Sequence, residues 1–236
     1  MTQTIAAIAS DPLQYDRDEL IWTAEGSKDN FNRKLYLMAL KPMLDSIADK
    51  YVLDIGCGQG WLCDEVAKHG GEPLGIEPSA KNVQAARAAY PELKIQQAAL
   101  GDFETAKPFD VAAAIMVLEH FLDLEAALRK VAAVLNPDGR FITIVGDFDK
   151  FTNGRNHHPM EKEVLGKGEV ATRIDYGERA GIMCDIVRTV GRYEELAHKA
   201  GLRLANQTPI LPEPWHPRYE AYKGRTLFHL LEFVQQ

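Results

Sequence analysis

The chain has 236 residues, 46% hydrophobic and 26% charged, which suits one soluble α/β domain with a large core and excludes wholesale disorder. Its 27 Lys and Arg against 34 Asp and Glu leave a net charge of −7, and without a Lys/Arg run no phosphate-tracking surface for nucleic acid is expected. Cys57, Cys63 and Cys184 lack metal-ligand spacing, Ile5 to Ala9 is a poor signal peptide and no apolar stretch approaches membrane-spanning length, so the expectation is a cytoplasmic enzyme-sized domain with free thiols.

Residues 1–50 read as an N-terminal helical lid. Tyr15, Trp22 and Phe31 punctuate a polar segment and could line a pocket or simply pack on the domain. Leu40, Met43, Leu44 and Ile47 share a helix face, with Pro42 expected near the start of that helix. From residue 51 to the end the pattern is that of one domain in which strands and helices alternate. Strand-length apolar runs recur at 51–56, 73–77, 94–100, 110–117 and 140–145. Between them, Leu62 and Val66 share a helix face that Gly70-Gly71 should stop, and Ser79 should cap a helix over 80–89. Asp123 should cap a third helix carrying Leu124, Leu128, Val131 and Leu135, before a turn at Asn136-Pro137-Asp138-Gly139. Residues 147–190 then read as a polar cap insertion with only a weak apolar pattern at 182–187. A helix with Tyr193, Leu196, Ala197 and Ala200 on one face follows, stopped by Gly201. Strands at 202–210 and 227–234, separated by a proline-rich connection at 209–217, bring the count to seven.

The chemistry concentrates at Val52-Leu53-Asp54-Ile55-Gly56-Cys57-Gly58-Gln59-Gly60, a strand that runs through a glycine loop into a helix. Glycines let a backbone approach a ligand closely, and a helix N-terminus presents unpaired N–H groups. A second strand ends at Glu77, whose carboxylate can accept from both hydroxyls of a ribose. Trp61 stands where a nicotinamide-binding loop would place its third glycine, and Asp54 suits a cationic amino group or sulfonium better than a pyrophosphate. No Gly-Lys-Ser/Thr follows, so the loop is not a P-loop. Singly, Asp54 or Asp102 could merely cap a turn, and Cys57 could be a small packed residue; their joint placement at strand ends favours a site.

With these residues in order, the sequence resembles the class I S-adenosylmethionine-dependent methyltransferases over roughly residues 15–234. The resemblance implies an α/β, Rossmann-like seven-stranded sheet, six strands parallel and the last antiparallel. Helices would cover both faces, with an N-terminal lid and an insertion after strand five. It implies that Asp54, Gly56, Cys57, Gly58 and Gly60 cradle the cofactor, that Glu77 holds the ribose and that Pro78 packs on the adenine. Asp102 would meet the adenine amino group, Phe103 would offer a backbone N–H, and Ile115 would give a backbone contact to the methionyl group. Asp29-Asn30-Phe31-Asn32-Arg33 resembles the segment that supplies an Arg to the cofactor carboxylate, with Tyr15 and Trp22 as part of the lid; an Arg33 solvated on a helix surface is the alternative.

Methyl transfer needs an in-line nucleophile, and a base only if the acceptor arrives protonated. Leu118-Glu119-His120 resembles the ubiquinone-pathway O-methyltransferases, where a further Glu two residues upstream completes a set that can hold a divalent metal. That position is Met116 here, so no metal is expected, and His120 reads as a base or as a structural histidine. His157 and His158, in the cap, could reach the acceptor or face solvent. The expected reaction is methylation of an oxygen or nitrogen of a small-molecule, biosynthetic acceptor, releasing S-adenosylhomocysteine. A tRNA or protein methyltransferase on the same fold, and a non-catalytic cofactor-binding protein, are the alternatives. Oligomeric state and the acceptor itself are not legible.

Overall fold

A computed structural model describes residues 3–11, 31–153, 160–175, 182–217 and 219–236. Tyr15, Trp22, His157 and His158 lie outside the described residues. In chain order, a short α1 (Ile5–Ala9) and α2 (Phe31–Leu44) precede β1 (Tyr51–Ile55), α3 (Trp61–Lys68), β2 (Glu72–Glu77), α4 (Ala80–Ala89) and β3 (Lys94–Gln97). There follow β4 (Phe109–Ile115), α5 (Leu124–Val134), β5 (Leu135–Gly146), α6 (Phe148–Thr152), β6 (Met160–Gly166), β7 (Glu169–Asp175) and β8 (Ile182–Arg188). The chain closes with α7 (Val190–Lys199), β9 (Leu202–Ile210), α8 (Tyr219–Tyr222) and β10 (Phe228–Gln235).

Seven strands form the main sheet in the order β3-β2-β1-β4-β5-β10-β9. The first five pair in parallel and β10 runs antiparallel to both β5 and β9, as the resemblance implies. Adjacent residues of the central strands point to opposite faces, and both faces are covered. Val52, Val111, Ile142 and Ile144 meet Leu40, Met43, Ile47, Leu62 and Val66 on one side. Leu53, Ala112 and Phe141 meet Leu128, Val131, Tyr193 and Leu196 on the other. Helix boundaries follow their local chemistry. Ser79 Oγ accepts from Asn82 N–H at 3.2 Å and Asp123 Oδ1 from Ala126 N–H at 2.9 Å, each satisfying an orphan donor of a first turn.

Three expectations are corrected. Pro42 lies in the last turn of α2 rather than near its start, where its missing N–H removes one hydrogen bond to the preceding turn. The fourth strand stops at Ile115 instead of running on towards His120. Met116 turns into the left-handed region (φ 58) while its N–H still reaches Ile144 O at 2.8 Å, and Leu118–His120 forms a single 3-10 turn.

The third correction is the largest. Residues 147–190 are not mainly loop: α6 is followed by a second, three-stranded antiparallel sheet, β6-β7-β8. Its first hairpin closes through Lys167-Gly168, with Gly168 at φ +73, a left-handed turn position that glycine takes at no steric cost. β6 carries Glu161, Lys162 and Glu163 in succession, which hides the alternation that would have marked a strand. One face of this small sheet is covered by α1: Ala6 and Ala9 pack on Ala171, Cys184 and Ile186, and Ala6 N–H donates to Glu163 Oε2 at 3.2 Å.

Candidate functional site

The carboxyl ends of β1, β2 and β4 converge on the glycine loop. Gly56, Gly58 and Gly60 all have positive φ, at 63°, 52° and 83°. Cys57 N–H continues the β1–β2 ladder by donating to Ile76 O at 3.0 Å, and Cys57 O accepts from Gly60 N–H at 2.9 Å. Both backbone groups of Cys57 thus serve the loop itself, and its thiol packs in a satellite cluster with Cys63, Val83 and Ile95. Gly75 makes room for it, since a Cβ there would come within 2.7 Å of Cys57 Sγ.

Gly56 and Gly58 differ in what surrounds them. A Cβ on Gly56 would sit 2.8 Å from Val117 Cγ2, whereas one on Gly58 would meet nothing within 4 Å. Gly56 is therefore required by packing and backbone together, while the space beside Gly58 is open for a ligand. Gly56→Ala is expected to cost about 2 kcal/mol or more, from the left-handed backbone and the contact with Val117. Urea denaturation would read this directly, and a variant as stable as the parent would show that the loop tolerates a side chain there.

Two buried carboxylates flank the loop. Glu77 closes β2, with Oε2 accepting from Gly58 N–H at 2.9 Å and Oε1 from Ser79 N–H at 3.0 Å. Asp54 is 3% exposed and accepts from Cys63 Sγ at 3.5 Å. Burial pushes its carboxyl up to about 7, opposed by the Cys63 hydrogen bond and reinforced by the nearby charge of Glu77. A cation placed beside Asp54 would restore its ionised form.

The remaining predicted positions surround this centre unevenly. Pro78 is half-buried just after Glu77, and Asp102 is exposed at the end of the 3-10 turn Leu100–Asp102. The ring of Phe103 is core, 6.2 Å from that of Phe109, and its N–H already donates to Leu100 O at 3.3 Å. The adenine contact expected of Phe103 would have to share this long bond. Ile115 and Met116, which end and follow β4, and Trp61 all pack against the core cluster on the α2 face of the sheet. Arg33, on α2, lies over the Trp61 ring at 5.0 Å. The sequence singled out Trp61 only for displacing a glycine; its role as a platform for a cation carries no sequence signature.

Leu118-Glu119-His120 points elsewhere. Glu119 is buried, with Oε1 accepting from Gly146 N–H at 2.8 Å, which ties the end of β4 to the end of β5. Burial raises its carboxyl to about 7, against the Gly146 hydrogen bond and with a further rise from Asp185. His120 hydrogen-bonds the Ala9 carbonyl of α1 and faces Asp185 of β8; desolvation outweighs both and lowers its pKa. Beside them Arg188, fully buried, donates to Glu169 Oε1 at 2.6 Å, Leu118 O at 3.2 Å and Phe121 O at 2.7 Å. This region clamps the small sheet and α1 onto the main domain. Among the described residues no cluster of His, Cys, Asp and Glu has the arrangement of a metal site. An open groove at the opposite, amino end of the central strands, lined by Lys50, Asp138 and Arg140 among others, offers no comparable chemistry; Arg140 there is engaged by Glu232 and Ser46.

Residues 29–205 match a family model described as a methyltransferase domain. Relatives include two ubiquinone biosynthesis O-methyltransferases of Rhodopseudomonas palustris. That of strain BisB5 is 32% identical over 75% of this chain and 67% of its own length, and that of strain HaA2 is 26% identical over 75% and 68%. Other relatives of the same name match over only 38% to 41% of their length. A putative S-adenosylmethionine-dependent methyltransferase from Listeria monocytogenes shares the fold, with TM-score 0.70 at 24% identity, over 86% of this chain and 99% of that one. The chain belongs to the methyltransferase-domain family, as a class I S-adenosylmethionine-dependent enzyme.

Proposed function

We propose that the protein transfers a methyl group from S-adenosylmethionine to an oxygen or nitrogen of a small biosynthetic acceptor, releasing S-adenosylhomocysteine. The observation that carries this reading is the pair of buried carboxylates on either side of an open glycine cradle. Asp54, held up near 7, suits the cofactor's ammonium group. Glu77, whose Oε2 accepts from Gly58 N–H and whose Oε1 accepts from Ser79 N–H and the Asn82 side-chain amide, is held at the loop where the ribose hydroxyls would meet it. Gly58 leaves the space that a side chain would fill, Pro78 and Asp102 flank the adenine end, and Arg33 serves the carboxylate end. When bound, the cofactor supplies a methyl group already activated on a sulfonium. The chain's part is to orient it and keep water away. The small sheet and residues 1–50 are the elements proposed to close over the acceptor.

The surroundings of His120 favour a structural role: its ring is directed to a backbone carbonyl of α1 and to Asp185. This leaves His157 or His158 as the histidine proposed to reach the acceptor. A net charge of −7 favours a metabolite over RNA, and the ubiquinone-pathway relatives favour a hydroxyl as the methylated group. No helix among the described residues is long and apolar enough to cross a membrane.

The test uses labelled S-adenosylmethionine with a panel of phenols, catechols, amines and carboxylates beside bulk tRNA and protein. Label is expected in a small hydroxyl or amine compound. Label in tRNA or protein would overturn the acceptor class, and tight cofactor binding without transfer to any acceptor would overturn the enzymatic reading.

A further inference from the structure

We propose that Trp61 is a positioning residue: its indole face holds the Arg33 guanidinium beside the glycine loop, so that the guanidinium meets the carboxylate end of the cofactor. The inference rests on the reading of Arg33 above and adds the side chain that makes it effective. Trp61 is the first residue of α3 and directly follows Gly60, whose φ of 83° fixes where the helix leaves the loop. Its side chain packs against the core cluster that contains Leu35, Leu40 and Leu62, so the platform has a defined place next to the loop. The Arg33 guanidinium carbon lies 5.0 Å from the ring centroid. Arg33 itself comes from the first turn of α2, which Leu35, Tyr36 and Leu40 anchor in the core.

Two physical points make this arrangement more than surface packing. A guanidinium carries its N–H donors in one plane, where a carboxylate takes two parallel hydrogen bonds, and an aromatic face attracts it without using any of them. A long side chain held on an aromatic face also loses less conformational freedom when the ligand arrives. The loop is otherwise flanked by the carboxylates of Asp54 and Glu77, which accept the cationic and hydroxyl parts of the cofactor and repel its carboxylate. Arg33 supplies the opposite sign at Trp61, the residue that directly follows Gly60.

The experiment compares two ligands by calorimetry. S-adenosylhomocysteine carries the carboxylate, and 5′-methylthioadenosine lacks the whole amino-acid end. Trp61→Leu is expected to weaken S-adenosylhomocysteine about 3- to 30-fold, the range of a cation–π contact, and to leave 5′-methylthioadenosine within twofold, which also reports an intact fold. Trp61→Phe, which keeps an aromatic face, should recover most of the affinity. The double variant with Arg33→Ala should bind no more weakly than Arg33→Ala alone, because both act through one contact. Equal losses for both ligands, or losses that add in the double variant, would overturn the proposal. If Arg33→Ala is selectively defective while Trp61→Leu is neutral, the platform fails and the Arg33 reading stands; if Arg33→Ala is neutral, both fail.

Discussion

Replacing Asp54 with asparagine is expected to raise the stability of the ligand-free protein at pH 8 and to weaken S-adenosylhomocysteine binding about 10- to 100-fold, the worth of a charge-assisted contact. The two effects have one cause. Folding buries Asp54, and its carboxyl moves from the ordinary value of 3.8 to about 7. Between those values the native state holds more protons than the unfolded chain, so stability falls as pH rises through that window. From this group alone the fall is at most on the order of 4 kcal/mol. An asparagine side chain carries no such titration. The variant's advantage should therefore be absent near pH 4 and largest above pH 7, as thermal melts at both ends would show. Binding a cation beside Asp54 favours its ionised form, so at pH 6 the parent should release a proton on binding S-adenosylhomocysteine, and Asp54→Asn should not. Calorimetry in buffers of different ionisation enthalpy measures that proton. Unchanged affinity in Asp54→Asn would place the amino group elsewhere.

The second large effect is expected at Arg188. Its guanidinium is fully buried between Glu169 and the carbonyls of the 118–122 turn, and Glu169 also takes a hydrogen bond from Arg192 at 3.2 Å. Removing Arg188 leaves Glu169 with Arg192 as its remaining cation and the buried carbonyls of Leu118 and Phe121 without this donor. Arg188→Ala should therefore cost about 3 to 5 kcal/mol, or a melting temperature lower by roughly 10 °C. The damage should fall on the clamp between the small sheet and the end of β4. Proteolysis should first cut within residues 160–188, while S-adenosylhomocysteine affinity stays within about twofold because the glycine loop is held by other contacts. A variant as stable as the parent would show that the clamp contributes nothing net, which the desolvation of buried ions makes a meaningful outcome.

The half of the molecule built around the glycine loop was legible because its signals are local. Ser79 and Asp123 cap helices where the sequence placed caps, and Gly70 and Gly201 stop α3 and α7 with φ of 81° and 83°. The glycine loop follows from backbone conformations that only glycine adopts readily. The small sheet was not legible. β6 presents an exposed, charged face, and only β8 carried a visible apolar run. Its strands are specified by one another and by α1, contacts whose partners lie as far apart as Ala6 and Glu163.

His120 shows the same boundary at one residue. The motif Leu118-Glu119-His120 resembles an active-centre signature, and residue type alone leaves a base and a structural histidine equally open. What separates them is the Ala9 carbonyl and Asp185, groups more than 60 positions away in one direction and more than 100 in the other. Arg188 is likewise an arginine like any other until the fold buries it. Local sequence was enough to point to the methyl donor, with Asp54, the three glycines and Glu77 proposed to hold it, because turn geometry and strand-end placement are written within a few residues. The cap's second sheet, the clamp at Arg188 and the seat of Arg33 on Trp61 came only from the folded chain. Those depend on which distant surfaces exclude water together, and no local pattern encodes that.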